Sequence, residues 1–238
     1  MRENKFLSIY DELVNQIQAG KIKPITKLPS ENELVEQYET SRETIRKALN
    51  LLSQNGYIQK VRGKGSFVLD VSRYDFPVSG LVSFKEIAQK MGKPWKTIVN
   101  ELEVLHPDDY LQKQLHLSSK DYVWKVIRSR EMDHERIILD KDFFNKKVVI
   151  NLTKEICEGS IYEYLEHVAG LKISFAKKEI SVVEPTEEDR RYLDLKEYNH
   201  LVMVKNYVYL EDMSLFQYTE SRHRLDKFRF VDFARRGN

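Results

Sequence analysis

Cysteine is almost absent from this chain, and its scarcity excludes a whole class of folds. Cys157 is the single cysteine among 238 residues, so no intrachain disulfide can form, and the composition is typical of a reducing compartment. Since no histidine partner for a thiolate is evident, we expect Cys157 to be a packing residue.

Long apolar runs are missing too. No stretch approaches the length of a transmembrane helix, and the first residues, MRENKF, have no apolar signal core. We therefore expect a cytoplasmic protein with no membrane partner. With 41% hydrophobic residues, the chain can still form one large domain or two modest ones, each with its own core.

Recognisable catalytic and metal-binding patterns are also missing. The six histidines show no metal-ligand spacing, and neither a nucleophile elbow nor a phosphate-binding loop occurs. We therefore expect no metal, no cofactor and no catalytic residue, and we do not expect an enzyme.

The charge of the chain is nearly balanced overall but concentrated in one short segment. The formal net charge at pH 7 is +2, yet residues 40–65 contain six basic residues and one acidic residue. Such a local excess suits a surface that contacts DNA phosphates.

A helix is predicted inside this basic segment. Apolar residues recur at i, i+3, i+4 and i+7 from Ile45 to Leu52. Ser41 is placed to cap the start of the helix, and Gly56 follows its end. The apolar stripe predicts one buried face and leaves the basic residues on the other.

Arg42 and Arg46 are four residues apart, so both project from one face at the start of this helix. Cations are unfavourable at this end of the helix dipole, which indicates a purpose other than helix stability. A phosphate or a guanine would supply that purpose. Glu43 could accept a hydrogen bond from cytosine or pair with Lys47 one turn later, and the pair is the favoured alternative.

A second helix and a basic hairpin flank this helix. Ser30 and Glu33 have the spacing of a capping box, and only Glu39 and Thr40 remain for the turn between the helices. Residues 57–68 predict two strands around a basic glycine turn that could approach a groove closely. An amphipathic helix pair with a solvated basic loop is the alternative.

This order of motifs resembles the winged helix-turn-helix of the GntR family of bacterial transcription regulators. Residues 28–31, 41–49 and 63–68 carry the resemblance, which covers nearly all of residues 5–70. It implies double-stranded operator DNA as partner. The residues expected to contact DNA are Ser30, Arg42, Thr44, Arg46, Lys47, Gly63 and Lys64.

The rest of the chain alternates short helices with longer strands joined by hairpins, which predicts an antiparallel sheet with helices packed on it. Strands are expected over residues 97–105, 122–132, 137–144, 173–183, 201–210, 215–222 and 228–233, and helices over 81–90, 107–115, 160–170 and 186–193. The fold class is therefore α+β, with a DNA-binding domain at 1–70, a linker at 71–80 and a second domain at 81–238.

Two arginines mark a candidate site in this second domain. Arg128 and Arg130 stand on one face of a predicted strand, and they repel each other unless an anion lies between them. Pairing with Asp140 or Asp142 across the hairpin is favoured if the strand is considered alone. A helix start at Ser160 shifts the balance toward a phosphate pocket, because its free N–H groups can bind an anion.

Residues 80–233 resemble the UTRA effector-binding domain of the HutC subfamily, which has a chorismate-lyase-like fold. The resemblance is carried by Ser83-Phe84, Arg128-x-Arg130, Ser160-x-Tyr162 and the closing Arg224-x-Asp226-x-Phe228-x-Phe230. The effector-binding residues that it implies are Ser83, Phe84, Arg128, Arg130, Asp140, Ser160 and Tyr162.

The two resemblances together imply a homodimeric repressor that a phosphorylated sugar releases from its operator. Trehalose 6-phosphate is the expected effector, and another small molecule such as an amino-sugar phosphate is the alternative. A lyase-like enzyme activity in the second domain is a further alternative, without a catalytic constellation to support it.

Overall fold

The chain divides into two compact units. The computed structural model describes residues 5–69, 84–85, 94–228 and 230. Of these, residues 5–69 belong to one compact unit, and residues 84–85 and 94–228 belong to a second. The linker expected at 71–80 lies outside the described residues, as do Ser83 and all but two residues of the helix expected at 81–90.

Three helices and a hairpin form the N-terminal unit. The helices are α1 (Lys5–Gln18), α2 (Glu31–Gln37) and α3 (Arg42–Gln54). An antiparallel hairpin of β1 (Ile58–Val61) and β2 (Gly65–Val68) follows them. A helix pair followed by a hairpin confirms the winged helix-turn-helix expected from the sequence.

Serine caps fix the starts of α2 and α3. The Ser30 hydroxyl accepts the N–H of Glu33, and the Glu33 carboxylate accepts the N–H of Ser30 at 2.7 Å, which confirms the capping box. The Ser41 hydroxyl accepts the N–H of Thr44 at 3.2 Å. The apolar faces then meet in one core, which includes Leu13, Leu34, Ile45, Ala48, Leu52 and Ile58.

A six-stranded antiparallel sheet forms the second unit. Its strands are β3 (Trp95–Leu105), β4 (Val123–Met132), β5 (Glu135–Asn145), β6 (Ile173–Val183), β7 (Leu201–Leu210) and β8 (Leu215–Arg224). Their order across the sheet is β3-β4-β5-β8-β7-β6. The antiparallel sheet expected from the hairpin pattern is confirmed, and β4, β5, β8 and β7 lie in its interior.

Short helices cover both faces of this sheet: α4 (Asp109–Leu115), α5 (Lys154–Glu158), α6 (Ile161–His167) and α7 (Glu187–Tyr192). Val126 of β4 packs in one cluster with Cys157 of α5 and Leu165 of α6. The next residue, Ile127, points to the opposite face and packs with Leu193, which follows α7. Cys157 is fully buried, as expected for a packing residue.

Two helix boundaries differ from the sequence prediction by two residues or more. The helix expected from residue 107 begins at Asp109, because Asp108 caps it by accepting the N–H of Leu111 at 2.8 Å. The helix expected to reach residue 170 ends at His167. Its last turn closes where the N–H of Ala169 binds a carbonyl of the preceding turn.

The closing strand expected at 228–233 is wrong for the residues that the structure describes there, Phe228 and Phe230, which lie outside any strand. Arg224, the last residue of β8, donates from Nε to Asp226 Oδ1 at 2.7 Å. This ion pair spans a short 3₁₀ turn, Leu225–Lys227, in which the chain leaves the sheet.

A buried histidine makes the stability of the second unit depend on pH. His223 of β8 is 6% exposed. Burial lowers the pKa of His223 from 6.5 to about 4, and the nearby charge of Asp140 offsets only part of this. The unfolded chain takes up the proton near pH 6.5 and the folded one near pH 4. The contribution of neutral His223 to the free energy of unfolding is therefore complete above pH 6.5 and is lost as the pH falls toward 4.

We therefore expect wild-type protein to lose about 2 kcal/mol of unfolding free energy between pH 7 and pH 5 through His223 alone. Urea unfolding of wild type, His223→Gln and the control His167→Gln at both pH values measures this share. His167 is an exposed residue of α6, so its variant should keep the wild-type loss, whereas His223→Gln should lose less. An equal loss in all three proteins would contradict the assignment.

Candidate DNA-reading surface and ligand site

The start of α3 presents a cluster of cations to solvent. The side chains of Arg42, Arg46 and Lys47 are 61%, 58% and 58% exposed. The opposite face of α3 is buried in the core, so the helix cannot rotate to hide these side chains. They are available to phosphates or to base edges.

Glu31, in the first turn of α2, holds the two arginines. The Nε atoms of Arg42 and Arg46 each lie 3.0 Å from the same carboxylate oxygen, Glu31 Oε2. Burial tends to raise the pKa of Glu31, but the hydrogen bonds from both arginines outweigh it and the pKa is lowered. Sequence reasoning missed Glu31, because the contact joins two helices.

Other residues of α3 complete this surface. Lys47 lies 2.9 Å from Glu43, one turn earlier, so the structure contains the ion pair that the sequence favoured over a cytosine contact. The Thr44 hydroxyl lies 2.9 Å from the Ser41 hydroxyl. Ser30 is exposed at the start of α2, where its hydroxyl is engaged in the capping box.

The hairpin of β1 and β2 carries two glycines at its tip. Gly63 has φ +74°, and a Cβ there would meet no atom within 4 Å. At Gly65, with φ +106°, a Cβ would lie 2.8 Å from Cε of Lys27. Both φ angles lie in the left-handed region, which glycine adopts without steric cost. Lys60 of β1 donates to Asn50 of α3 at 2.6 Å, which fixes the hairpin beside that helix. Lys64, beside Gly63, is exposed.

In the second unit, the two predicted arginines are buried and paired. Arg128 Nη2 lies 2.6 Å from Asp142 Oδ2, and Arg130 Nε lies 2.7 Å from Asp140 Oδ2. Asp140 and Asp142 are the two carboxylates that the sequence offered as partners of the arginines across the hairpin. Carboxylates from the adjacent strand β5 therefore neutralise both arginines, and binding of a phosphate by the same arginines stays a prediction.

The carboxylate of Asp140 is ionised in this network. Burial alone would raise its pKa, but the charges of Arg130 and Arg128 outweigh burial and hold the pKa of Asp140 below its usual value. The Ser221 hydroxyl donates to its other oxygen at 2.6 Å. The positive charges of two guanidinium groups and the negative charges of two carboxylates thus balance on one buried face of the sheet.

Neutral polar side chains extend the network along β8. Asp142 Oδ1 accepts hydrogen bonds from Gln217 at 2.9 Å and from Thr219 at 2.8 Å. The Tyr162 hydroxyl of α6 donates to Gln217 Oε1 at 3.0 Å. On β3, the Thr97 hydroxyl accepts from Arg130 Nη1 at 2.8 Å. Sequence reasoning missed these three β-strand partners, because their strands meet β4 and β5 only in the folded sheet.

The remaining predicted ligand residues lie around this network. Arg130 stacks over the ring of Phe84, 5.1 Å from its centroid. Arg128 Nη1 donates at 3.3 Å to the carbonyl of Cys157, three residues before Ser160. The Ser160 hydroxyl accepts the N–H of Glu163 at 3.2 Å.

The start of α6 is capped by the Ser160 side chain alone. The carboxylate of Glu163 pairs with Lys85 at 2.9 Å and does not return to the cap. The structure therefore brings Phe84, Arg128, Arg130, Asp140 and Tyr162 into one network, with Ser160 at the helix start beside Arg128.

The described residues contain neither a metal-binding cluster nor a membrane-spanning helix. No group of three or more histidine, cysteine or acidic residues in this part of the chain could hold a metal ion. No helix among these residues is long and apolar enough to cross a membrane.

An exposed basic helix-turn-helix and a separate polar network define a transcriptional regulator with a ligand-sensing domain. Residues 6–68 match the gntR family of bacterial regulatory proteins, and residues 90–229 match the UTRA domain. The chain belongs to this family and is a transcriptional repressor of the GntR/HutC type. It is a regulator and not an enzyme.

Individual relatives agree with this assignment along the whole chain. The HTH-type transcriptional regulator TreR of Bacillus subtilis (strain 168) is 62% identical, with 100% of both chains aligned. The mannosyl-D-glycerate transport/metabolism system repressor MngR of Escherichia coli (strain K12) is 29% identical over 97% of this chain and 96% of that one.

Two solved structures share the fold. The possible transcriptional regulator YydK of Bacillus subtilis has a TM-score of 0.81 and 27% identity, covering 97% of this chain and 99% of that one. The effector-binding domain of the Bacillus subtilis trehalose repressor TreR has a TM-score of 0.56 and 61% identity, covering 60% of this chain and 99% of that one.

The buried pair of Arg128 and Asp142 makes a test of the network possible. We expect Arg128→Met or Asp142→Leu alone to cost roughly 3–5 kcal/mol, because each leaves its partner's charge buried and unpaired. The double variant should cost much less than the sum. Urea unfolding of the four proteins in the cycle measures the coupling, and additive losses would show that the two charges do not depend on each other.

Proposed function

We propose that this protein represses its target by binding operator DNA and that trehalose 6-phosphate releases it. The observation that carries the proposal is the 62% identity to TreR over the full length of both chains, because a comparison of this length includes both the DNA-reading helix and the ligand network. The 61% identity to the effector-binding domain of the trehalose repressor supports the choice of effector.

Operator reading is assigned to the exposed residues of α3 and the hairpin. Arg42 and Arg46 contact guanines in the major groove, since guanidinium groups bind O6 and N7 of guanine bidentately. Gly63 lets the hairpin tip approach the minor groove. Ser30, Thr44, Lys47 and Lys64 contact phosphates, which position the protein without reading sequence.

Effector binding is assigned to the network of the second unit. The phosphate of the sugar phosphate binds Arg128, Arg130 and Ser160, together with Ser83 and Phe84. For this to occur, the phosphate must compete with Asp140 and Asp142 for the two guanidinium groups, or bind donors that the aspartates leave open. A dianionic phosphate is a stronger acceptor than a carboxylate for such a pair.

The sugar is assigned to polar side chains next to the phosphate site. Tyr162 is a hydroxyl donor and acceptor, and Asp140 is an ionised acceptor in the same network. An amino-sugar phosphate is the alternative ligand, and its charged amine would favour the acidic side of the network.

Repression requires two DNA-reading helices, because one helix reads only a few base pairs and two-fold symmetry doubles the contact. We therefore propose a cytoplasmic homodimer on a palindromic operator. The effector must bind the DNA-incompetent arrangement more tightly than the competent one; otherwise it would not change repression.

Arg42→Ala and Arg46→Ala should each weaken operator binding by about 5- to 150-fold, the loss expected of a bidentate guanine contact. Fluorescence anisotropy with a labelled operator duplex measures the affinity. Lys154→Ala, which removes a 65% exposed cation of the second unit, is the control and should bind as wild type does. Unchanged affinity in both arginine variants would remove α3 from the reading role.

Trehalose 6-phosphate should raise the melting temperature of the protein and release it from the operator, since a ligand that binds only the folded state stabilises it. Three sugars are the matched controls. Trehalose lacks the phosphate, glucose 6-phosphate lacks the second sugar, and glucosamine 6-phosphate lacks the second sugar and carries an amine. If glucosamine 6-phosphate alone were active, the amino-sugar alternative would replace the trehalose assignment.

A further inference from the structure

One carboxylate oxygen organises the two arginines that α3 presents to solvent. Glu31 Oε2 accepts the Nε–H of Arg42 and the Nε–H of Arg46, each at 3.0 Å. The carboxylate is 29% exposed, whereas the two arginine side chains are about twice as exposed. Glu31 is therefore less accessible to solvent than the two arginines that it binds.

The hydrogen bonds use one edge of each guanidinium group. Nε–H is bound to Glu31, and no hydrogen bond or ion pair links the Nη atoms of Arg42 or Arg46 to any other described residue. An Arg fork formed by its two Nη groups is the part that binds O6 and N7 of guanine. The contact thus orients each guanidinium group while leaving its reading edge open.

We propose that Glu31 is a positioning residue that sets the sequence specificity of operator reading; this inference rests on the proposed DNA-binding function. Two physical effects act in the same direction. Glu31 restrains two long side chains before DNA arrives, so less conformational entropy is lost when they bind bases. Its negative charge also weakens attraction to phosphates of any sequence.

The two effects can be separated because α3 carries a second carboxylate. Glu43 is 77% exposed and pairs with Lys47, one turn away on the same helix. Glu43→Gln removes a negative charge from this surface while Glu31 and both arginines stay intact. Glu31→Asp keeps the negative charge but shortens the side chain by one carbon, so that a single oxygen no longer reaches both Nε atoms.

The DNA for the test is a duplex selected from random sequence by the wild-type protein, compared with a scrambled duplex of the same length and composition. Anisotropy titrations at several salt concentrations give the two affinities for each protein. Glu31→Asp should bind the selected duplex at least fivefold more weakly and the scrambled duplex as wild type does. Glu43→Gln should bind both duplexes more tightly, with their ratio unchanged within twofold.

Glu31→Gln combines both changes and should show the largest loss of specificity, at least tenfold in the ratio of the two affinities. Repeating the selection with this variant should return a looser consensus at the positions that the arginines read. A merely structural role for Glu31 would lower the melting temperature and leave that ratio and the consensus unchanged, which would overturn the inference.

Failure of the proposed function gives a different result. If the wild-type protein enriches no sequence, DNA reading itself is wrong and the inference falls with it. If the wild type enriches a sequence but Glu31→Asp keeps the wild-type affinity ratio, only the role of Glu31 is wrong. Retained thermal stability of Glu31→Asp and Glu43→Gln shows that the affinities report folded protein.

Discussion

Charge neutralisation by the buried ion pairs between β4 and β5 is the constraint on which the ligand-sensing domain depends. Two arginines lie on the face of β4 that is covered by α5 and α6, and two aspartates of the adjacent strand neutralise them. An unpaired charge at this depth would be strongly destabilising. The groups that neutralise each other in the sheet are also the ones that we propose a sugar phosphate engages, so the proposal couples ligand binding to the packing of the domain.

Carboxylates serve a comparable purpose in the two units. In the second unit, Asp140 and Asp142 hold buried arginines in a neutral network, and in the first, Glu31 holds exposed arginines at the start of α3. The environments differ, so the consequences differ as well. Breaking a buried pair would leave an unpaired charge inside the domain, whereas the exposed cluster leaves its guanidinium edges open to a partner.

Much of the fold follows from local signals in the sequence. The caps at Ser30 and Ser41 and the apolar stripe of α3 are encoded within a few residues, so the helix-turn-helix was predictable. Contacts between distant segments were not. Glu31 lies 11 and 15 residues from its arginines, and Gln217 reaches Asp142 only because β8 pairs with β5. For Arg128 and Arg130, pairing with aspartates across the hairpin was visible in the sequence, but the burial of these pairs was not, because it depends on helices that pack on β4 from later in the chain.

Thermodynamic linkage gives the most direct test of the central claim, that a sugar phosphate controls DNA binding. If trehalose 6-phosphate weakens operator affinity by a given factor, the operator must weaken affinity for trehalose 6-phosphate by the same factor. Calorimetric titration of trehalose 6-phosphate into the free protein and into the protein–operator complex measures this factor from the ligand side. We predict that it equals the factor from operator titrations with and without the ligand, and equal ligand affinity in the two calorimetric titrations would contradict the account.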